Sequence, residues 1–383
     1  MGFAFAIALV LCALTTGHAF AQGNFETKAK WAVLMDANTK SVLFEKNADE
    51  LMPPASMSKL MTMAVIFRAL KDGRLSMDDE FSASVNAWRT GGAPSGTSAM
   101  FVPLNKSAPL SDLIQGIAVQ SGNDACIIVA EGMAGSEEAF SDLMNAYGKK
   151  IGLKDSTFRN STGLPDPDHL MTARDLGKLA LHMIDEYPEY YHYFGQKEYR
   201  YRKHVFYNRN PLIYDTVAAD GLKTGYIRDS GYGLVASAKR RGQRLIVVVN
   251  GLKSKKERRA EGKKLLEWGF RSFKQWKLFD ADETIGDALV WGGTKRYVNL
   301  TGKGDVSILL PRTASRKIKA SIIYEGPLKP PIKKGDQIAI LRVTTTNSAV
   351  NEIPLYAAED IGEGPIWMKG VESLLHLAFG WIL

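Results

Sequence analysis

Along this chain the apolar residues change texture several times. Residues 3–14 (FAFAIALVLCAL) form an unbroken apolar run, followed by Ala19-Phe20-Ala21 before Gln22. A short apolar core ahead of small residues at an A-x-A site is expected to be a secretory leader over 1–21, giving a mature chain from Gln22. No Lys or Arg precedes the run, so the leader lacks the usual basic start.

From there the pattern predicts folded elements. Residues 30–47 (KWAVLMDANTKSVLFEKN) read as a β-hairpin, with apolar strands around an Asp-Ala-Asn-Thr turn. Pro53-Pro54 precedes Ala55-Ser56, after which Leu60, Met63, Ala64, Phe67 and Leu70 recur at helical spacing up to Gly73. Residues 110–134 and 137–150 read as helices separated by Gly135-Ser136, with Ser121 expected on a loop between helices. Residues 232–238 and 244–250 are short β-rich runs joined by a basic turn, and a Lys- and Glu-rich helix is expected over 256–268. Together these imply an α/β (α+β) catalytic-type domain over residues 22–280.

After Phe279-Asp280 short alternating runs take over, such as 306–310 (VSILL) and 337–341 (QIAIL), punctuated by Pro and Gly. They predict a small all-β domain over 281–362. The last segment, 363–383, behaves differently again. On a helical wheel Lys369, Glu372, Ser373, His376 and Gly380 fall in one sector of about 100°, while Trp367, Met368, Val371, Leu374, Leu375, Phe379 and Trp381 fill the other side. A spanning helix would not carry a charged stripe, so an amphipathic helix lying on an anionic phospholipid surface is expected over 366–383.

Composition narrows the classes. The chain has 383 residues, 45% hydrophobic and 23% charged, which excludes wholesale disorder and a collagen-like fibre. Its formal net charge of +8 suits anionic partners such as cell-wall polymer or phospholipid. Only Cys12 and Cys126 occur, so neither a disulfide framework nor a cysteine-rich zinc site is available. His169, His182, His192, His204 and His376 lack metal-ligand spacing, and no metal or cofactor is expected. The basic run from Lys253 to Lys264 could suit nucleic acid, but an exported chain argues against that partner.

Three short motifs stand in order: Ser56-Met57-Ser58-Lys59, Ser121-Gly122-Asn123 and Lys223-Thr224-Gly225. Each alone is weak, since S-x-x-K arises about once or twice by chance in a chain of this size. Their order and context are far more specific. Positions i and i+3 share a helix face, so the Lys59 amine can reach the Ser56 hydroxyl. A serine hydroxyl needs a base within hydrogen-bond reach to become a nucleophile. Lysine is a base only when unprotonated, which burial and a second cation, here Lys223, both favour. Ser121 is placed to relay a proton, the Asn123 carboxamide to bind a substrate amide, and backbone amides near Ser56 to stabilise an oxyanion.

With these motifs the chain resembles penicillin-binding proteins and class A β-lactamases. It is most similar to the low-molecular-mass D-alanyl-D-alanine carboxypeptidases, serine peptidases of the S11 type. Supporting stretches are PPASMSKLMT, QSGNDACIIVAEGMAGS, MTARDLGKLA, DGLKTGYIRDSGYGLVASA and KKLLEWGFRSF. The resemblance implies a penicillin-binding protein/β-lactamase-like fold, then a β-sandwich and an amphipathic tail. It implies that Ser56 attacks the penultimate D-alanine carbonyl of a peptidoglycan pentapeptide stem, with Lys59 as proton acceptor and Ser121 as relay. The amides of Ser56 and Tyr226 would form the oxyanion hole, with the substrate added as a strand along the Lys223-Thr224-Gly225 strand. Lys223 and Thr224 would hold the terminal carboxylate. Arg258 matches a carboxylate-binding arginine, with Arg259 an alternative one position along, and the Tyr226 position is histidine in some relatives. β-Lactams are implied as covalent inhibitors, and the periplasmic face of the inner membrane as the location.

Two rivals remain at this level, besides a nearer variant, an endopeptidase cutting cross-links, which shares the acyl-enzyme step. A class A-like β-lactamase would carry a further glutamate in an E-x-x-L-N segment, which does not occur between Ser121 and Lys223. A non-catalytic wall-binding scaffold would have no need of all three intact motifs.

Overall fold

A computed structural model describes residues 25–312, 318–345 and 350–365. The expected leader and the expected amphipathic helix over 366–383 lie outside the described residues.

The hairpin is β1 (Trp31–Asp36) and β2 (Val42–Lys46). A 3₁₀ turn at Ala55–Ser58 runs into α1 (Lys59–Lys71). Short strands β3 (Glu80–Ser82) and β4 (Ser107–Pro109) pair, ahead of α2 (Leu110–Gln115), α3 (Asn123–Ala134), α4 (Glu137–Lys150) and α5 (Ala173–Glu186). A hairpin of β5 (Glu198–Tyr201) and β6 (His204–Tyr207) precedes β7 (Ala219–Ile227), β8 (Gly231–Arg240), β9 (Gln243–Leu252) and α6 (Lys255–Ser272).

The central sheet is antiparallel in the order β2-β1-β9-β8-β7. Both faces are covered, and the sequence of β9 records it: Leu245 to Val249 is a continuous apolar run. Ile246 and Val248 pack with the helices α1, α3 and α5, whereas Leu245, Val247 and Val249 join Leu265 and Leu266 of α6 on the other face. Successive side chains of a strand point to opposite faces, so one apolar run feeds both cores. Each such side chain contributes about 1.5–3 kcal/mol on burial.

Helix limits follow local chemistry. Ser254 caps α6 by accepting from the Glu257 amide, and the Glu257 carboxylate accepts in turn from the Lys253 amide. The expected helix over 110–134 is interrupted: Gly116–Gln120 forms a wide turn and Ser121 adopts φ 65°. A Cβ on Gly116 would lie 2.4 Å from the Met100 sulfur, so a distant segment presses on the helix where it breaks.

Strand β10 (Phe273–Phe279) leaves α6 directly and pairs with β13 (Val306–Pro311). The remaining strands β11 (Gly286–Leu289), β12 (Tyr297–Thr301), β14 (Ile318–Ile323), β15 (Gln337–Thr345) and β16 (Val350–Ala357) form a second sheet, in the order β11-β12-β16-β15-β14. The two sheets enclose Val298, Leu300, Ile308, Leu310, Leu341 and Leu355, giving the expected β-sandwich. Leu309, on the opposite face of β13, joins the core between α6 and the central sheet. Among the described residues no helix is long and apolar enough to cross a membrane.

Candidate active site

Ser56 sits half-buried in the 3₁₀ turn before α1. The preceding Ala55 has φ 49°, a conformation that strains a residue bearing a Cβ. Its surroundings hold it there: Gly225 has a hypothetical Cβ only 2.9 Å from the Pro54 carbonyl oxygen, so β7 approaches the turn as closely as a glycine permits. Gly225 faces Gly233 across the β7–β8 pair, and a Cβ on Gly233 would strike the Met57 side chain at 2.5 Å. The serine turn therefore rests in a notch of the sheet cut by facing glycines.

Lys59, one turn along, is fully buried. Its Nζ donates to Ser56 Oγ at 3.0 Å, to Asn123 Oδ1 at 2.7 Å and to the Thr162 carbonyl. Of these three partners the Asn123 and Thr162 oxygens can only accept, whereas the serine hydroxyl can donate. On losing a proton the amine keeps its two carbonyl partners and turns its lone pair to Ser56. Burial, the largest influence, brings the Lys59 pKa down to about 8. Lys223, almost fully buried in β7, is held well below its usual value by burial first and by the charge of Lys59 second. Burial is thus the main means of discharging Lys59, more than the second cation expected from the sequence.

Ser121 lines the same cavity as Ser56, together with Thr224, Gly225, Tyr226 and Arg258. Asn123 is placed otherwise. Its Oδ1 accepts from Lys59 and its Nδ2 donates to Thr97 Oγ1 at 2.9 Å, so both ends of the carboxamide engage protein groups. It braces Lys59 in this structure. Arg258 is 6% exposed, its Nε has no hydrogen-bond partner among the described residues, and burial brings its pKa down to about 10. Arg259 turns away and pairs with Asp215 at 2.9 Å.

The cavity, about 600 Å³, is also lined by Ser98, Arg209, Tyr232 and Lys255, which sequence reasoning did not single out. Arg209 Nη1 donates to Ser98 Oγ at 2.5 Å. It projects from an Asn208-Arg209-Asn210-Pro211 turn in which Asn210 Nδ2 donates to the Gly221 carbonyl at 2.7 Å. That Asn- and Pro-rich turn was the available signal, a rigid loop presenting a single cation. Among the described residues no Asp or Glu lines the cavity. The acids acting on Lys59, Asp124 and Glu137, are engaged elsewhere: Asp124 accepts from the amides of Met100, Phe101 and Val102, and Glu137 from Ser161. Such a cavity selects an anion. Among the described residues no group of His, Cys, Asp and Glu is arranged to hold a metal.

Residues 18–254 match the peptidase S11 family, D-alanyl-D-alanine carboxypeptidase. The chain belongs to this family. Residues 273–363 match the C-terminal domain of penicillin-binding protein 5. D-alanyl-D-alanine carboxypeptidase DacC of Escherichia coli (strain K12) is 40% identical over 336 residues, covering 87% of this chain and 84% of the relative. The crystal structure of penicillin binding protein 5 from Haemophilus influenzae superposes with a TM-score of 0.81 at 35% identity, covering 89% of this chain and 100% of that one. Penicillin-binding protein D2 from Listeria monocytogenes, solved in an ampicillin-bound form, gives a TM-score of 0.56 at 27% identity, over 65% of this chain and 100% of that one. The family and fold expected from the ordered motifs are the ones found, and a serine peptidase is what this family is.

Proposed function

We propose that this chain removes the terminal D-alanine from peptidoglycan pentapeptide stems through an ester on Ser56. The observation that carries the reading is the Lys59 amine, fully buried and 3.0 Å from Ser56 Oγ, with two other partners that only accept. Ser56 Oγ attacks the penultimate carbonyl while its proton passes to Lys59 Nζ. The oxyanion forms against the backbone amides of Ser56 and Tyr226. As the C–N bond breaks, the leaving amine takes a proton relayed through Ser121, and water then hydrolyses the ester with Lys59 again the base. Lys223, Thr224 and Arg258 hold the terminal carboxylate, and the unpaired Nε of Arg258 supports that assignment. Asn123 positions Lys59 and has a second amide proton for the substrate.

A peptidoglycan pentapeptide incubated with the mature chain is expected to lose one alanine by mass spectrometry; an unchanged mass overturns the reading. Fluorescent penicillin is expected to form a long-lived adduct, in keeping with the ampicillin-bound relative. The expected glutamate segment of a β-lactamase is missing from the sequence, so rapid release of hydrolysed penicillin would instead favour that rival.

The finer assignments rest on the sequence. They are a leader over 1–21, a catalytic domain over 22–280, a β domain over 281–362 and a tail over 363–383. The β domain serves as a spacer, and the apolar face of the tail holds the chain on anionic phospholipid at the periplasmic side of the membrane. Deleting residues 366–383 is expected to move the protein from the membrane pellet to the soluble fraction with pentapeptide turnover little changed. Sedimentation with membranes after the deletion would remove the anchor.

A further inference from the structure

The antiparallel order of the central sheet brings the end of β7, the start of β8, the end of β9 and the start of β1 to one edge of the molecule. Lys30 precedes β1, Arg228 follows β7 and Lys253 follows β9, and all three line a second cavity there, of about 460 Å³. Two glycines in its wall let these strand ends close up. Gly251 has φ 82°, and a Cβ on it would lie 2.5 Å from that of Lys30. Gly231 has φ 67°, and a Cβ on it would lie 2.6 Å from the Leu252 carbonyl oxygen. Both the conformation and the close approach call for glycine, so the gathering of cations is built into the backbone.

One carboxylate, Asp229, faces the three cations across the cavity. Among the described residues none of the four is engaged in an ion pair, so a formal excess of two positive charges is left over. Other cations of this domain are matched: Arg259 and Lys263 pair with Asp215, and Arg240 with Glu267. Helix α6 begins two residues past Lys253, and its positive end adds to the field. Ser230, also in the wall, is 2% exposed, and its Oγ has no hydrogen-bond partner among the described residues. A buried hydroxyl left unpaired is unfavourable, and an acceptor oxygen would satisfy it. Tyr226 and Tyr232, with ring centroids 4.2 Å apart, supply a carbon wall on the side toward the catalytic cavity.

We propose that this second cavity is a binding site for a phosphate ester. A phosphate monoester carries close to two negative charges at neutral pH, which matches the excess, whereas a single carboxylate offsets half of it. Its oxygens accept from Lys30, Arg228, Lys253 and Ser230, and the organic part of the ester lies against the tyrosine rings. Ser56, Ser121 and Arg258 line only the catalytic cavity, so the site is separate from the serine chemistry and does not rest on the carboxypeptidase reading. A soluble ester and a lipid headgroup share this chemistry.

The test is a calorimetric titration of the full chain with glycerol 3-phosphate at low salt, after ampicillin has been added to fill the catalytic cavity. The wild type is expected to bind. In Arg228→Gln/Lys253→Gln the Kd is expected to rise at least about tenfold, and in Ser230→Ala about threefold, the sizes of lost charge-assisted and neutral hydrogen bonds. Lys149→Gln/Lys150→Gln removes the same charge from the last turn of α4 and should leave the Kd unchanged. Ampicillin labelling equal to that of the wild type shows that each variant has folded. Absence of binding by the wild type overturns the proposal, and so does an equal loss in the two double variants, which would mark a general effect of net charge. If ampicillin fails to acylate the wild type, the carboxypeptidase reading falls, and the same variants titrated without it still decide this site. Vesicles of phosphatidylcholine with and without phosphatidate separate the sources. Weaker phosphatidate-dependent binding by the Arg228/Lys253 variant alone supports the site with a lipid headgroup as its ligand. Unchanged vesicle binding beside the raised Kd for glycerol 3-phosphate supports it with a soluble ester.

Discussion

Ser56→Ala is expected to abolish alanine release and covalent labelling by penicillin together, with turnover falling by about 10⁴–10⁶-fold. The size follows from the role: without Oγ there is no ester, and what remains is binding of the substrate in a cationic cavity. Ser56 is half-buried in a turn whose backbone hydrogen bonds, such as Met57 amide to Pro54 carbonyl at 3.2 Å, do not involve its side chain, so folding should survive the change. Intact-protein mass spectrometry after exposure to ampicillin reads the adduct directly. An adduct persisting in the alanine variant would move the nucleophile elsewhere.

Lys59→Arg separates charge from basicity. Arginine keeps a cation near Ser56 but does not give up its proton in a protein. The acylation rate with penicillin is expected to fall by about 10²–10⁴-fold, the usual contribution of a general base. Because the site is fully buried and a guanidinium is larger, Lys59→Met is the companion variant, and the same loss is expected of it. The pH profile gives an independent readout. With its pKa brought down to about 8, Lys59 is mostly protonated at neutral pH, and only roughly one molecule in ten carries the free amine at pH 7. The active form is the unprotonated one, so wild-type kcat/KM should rise with pH through about 8 and level off above it. In the variants that limb should vanish. If either variant keeps it, another group is the base.

Much of the fold could be read from the chain because its signals are local. The β1–β2 hairpin, the apolar runs of β8 and β9 and the Ser254-to-Glu257 cap of α6 each lie within a few residues. Ser121 was expected on a loop between helices, but the cause of that break was not legible, since the pressure on Gly116 comes from Met100. In the same way no spacing rule joins Arg209 to Ser98, which lie 111 residues apart in sequence. The Asn and Pro around Arg209 announce a turn but do not say which cavity the turn borders.

The chain by itself determined the type of chemistry. An i to i+3 relation on a helix needs no tertiary contact to bring an amine to a hydroxyl, and the ordered motifs name the family that uses it. Only the folded protein decided the charge on that amine, because burial is produced by segments that sequence proximity does not connect. The two carbonyl partners of Lys59 come from residues 64 and 103 positions away. Tertiary packing likewise turned Arg258 rather than Arg259 toward the cavity and engaged both ends of the Asn123 carboxamide within the protein. Spacing along the chain can supply neighbours on one helix face, whereas exclusion of water depends on everything that closes around them.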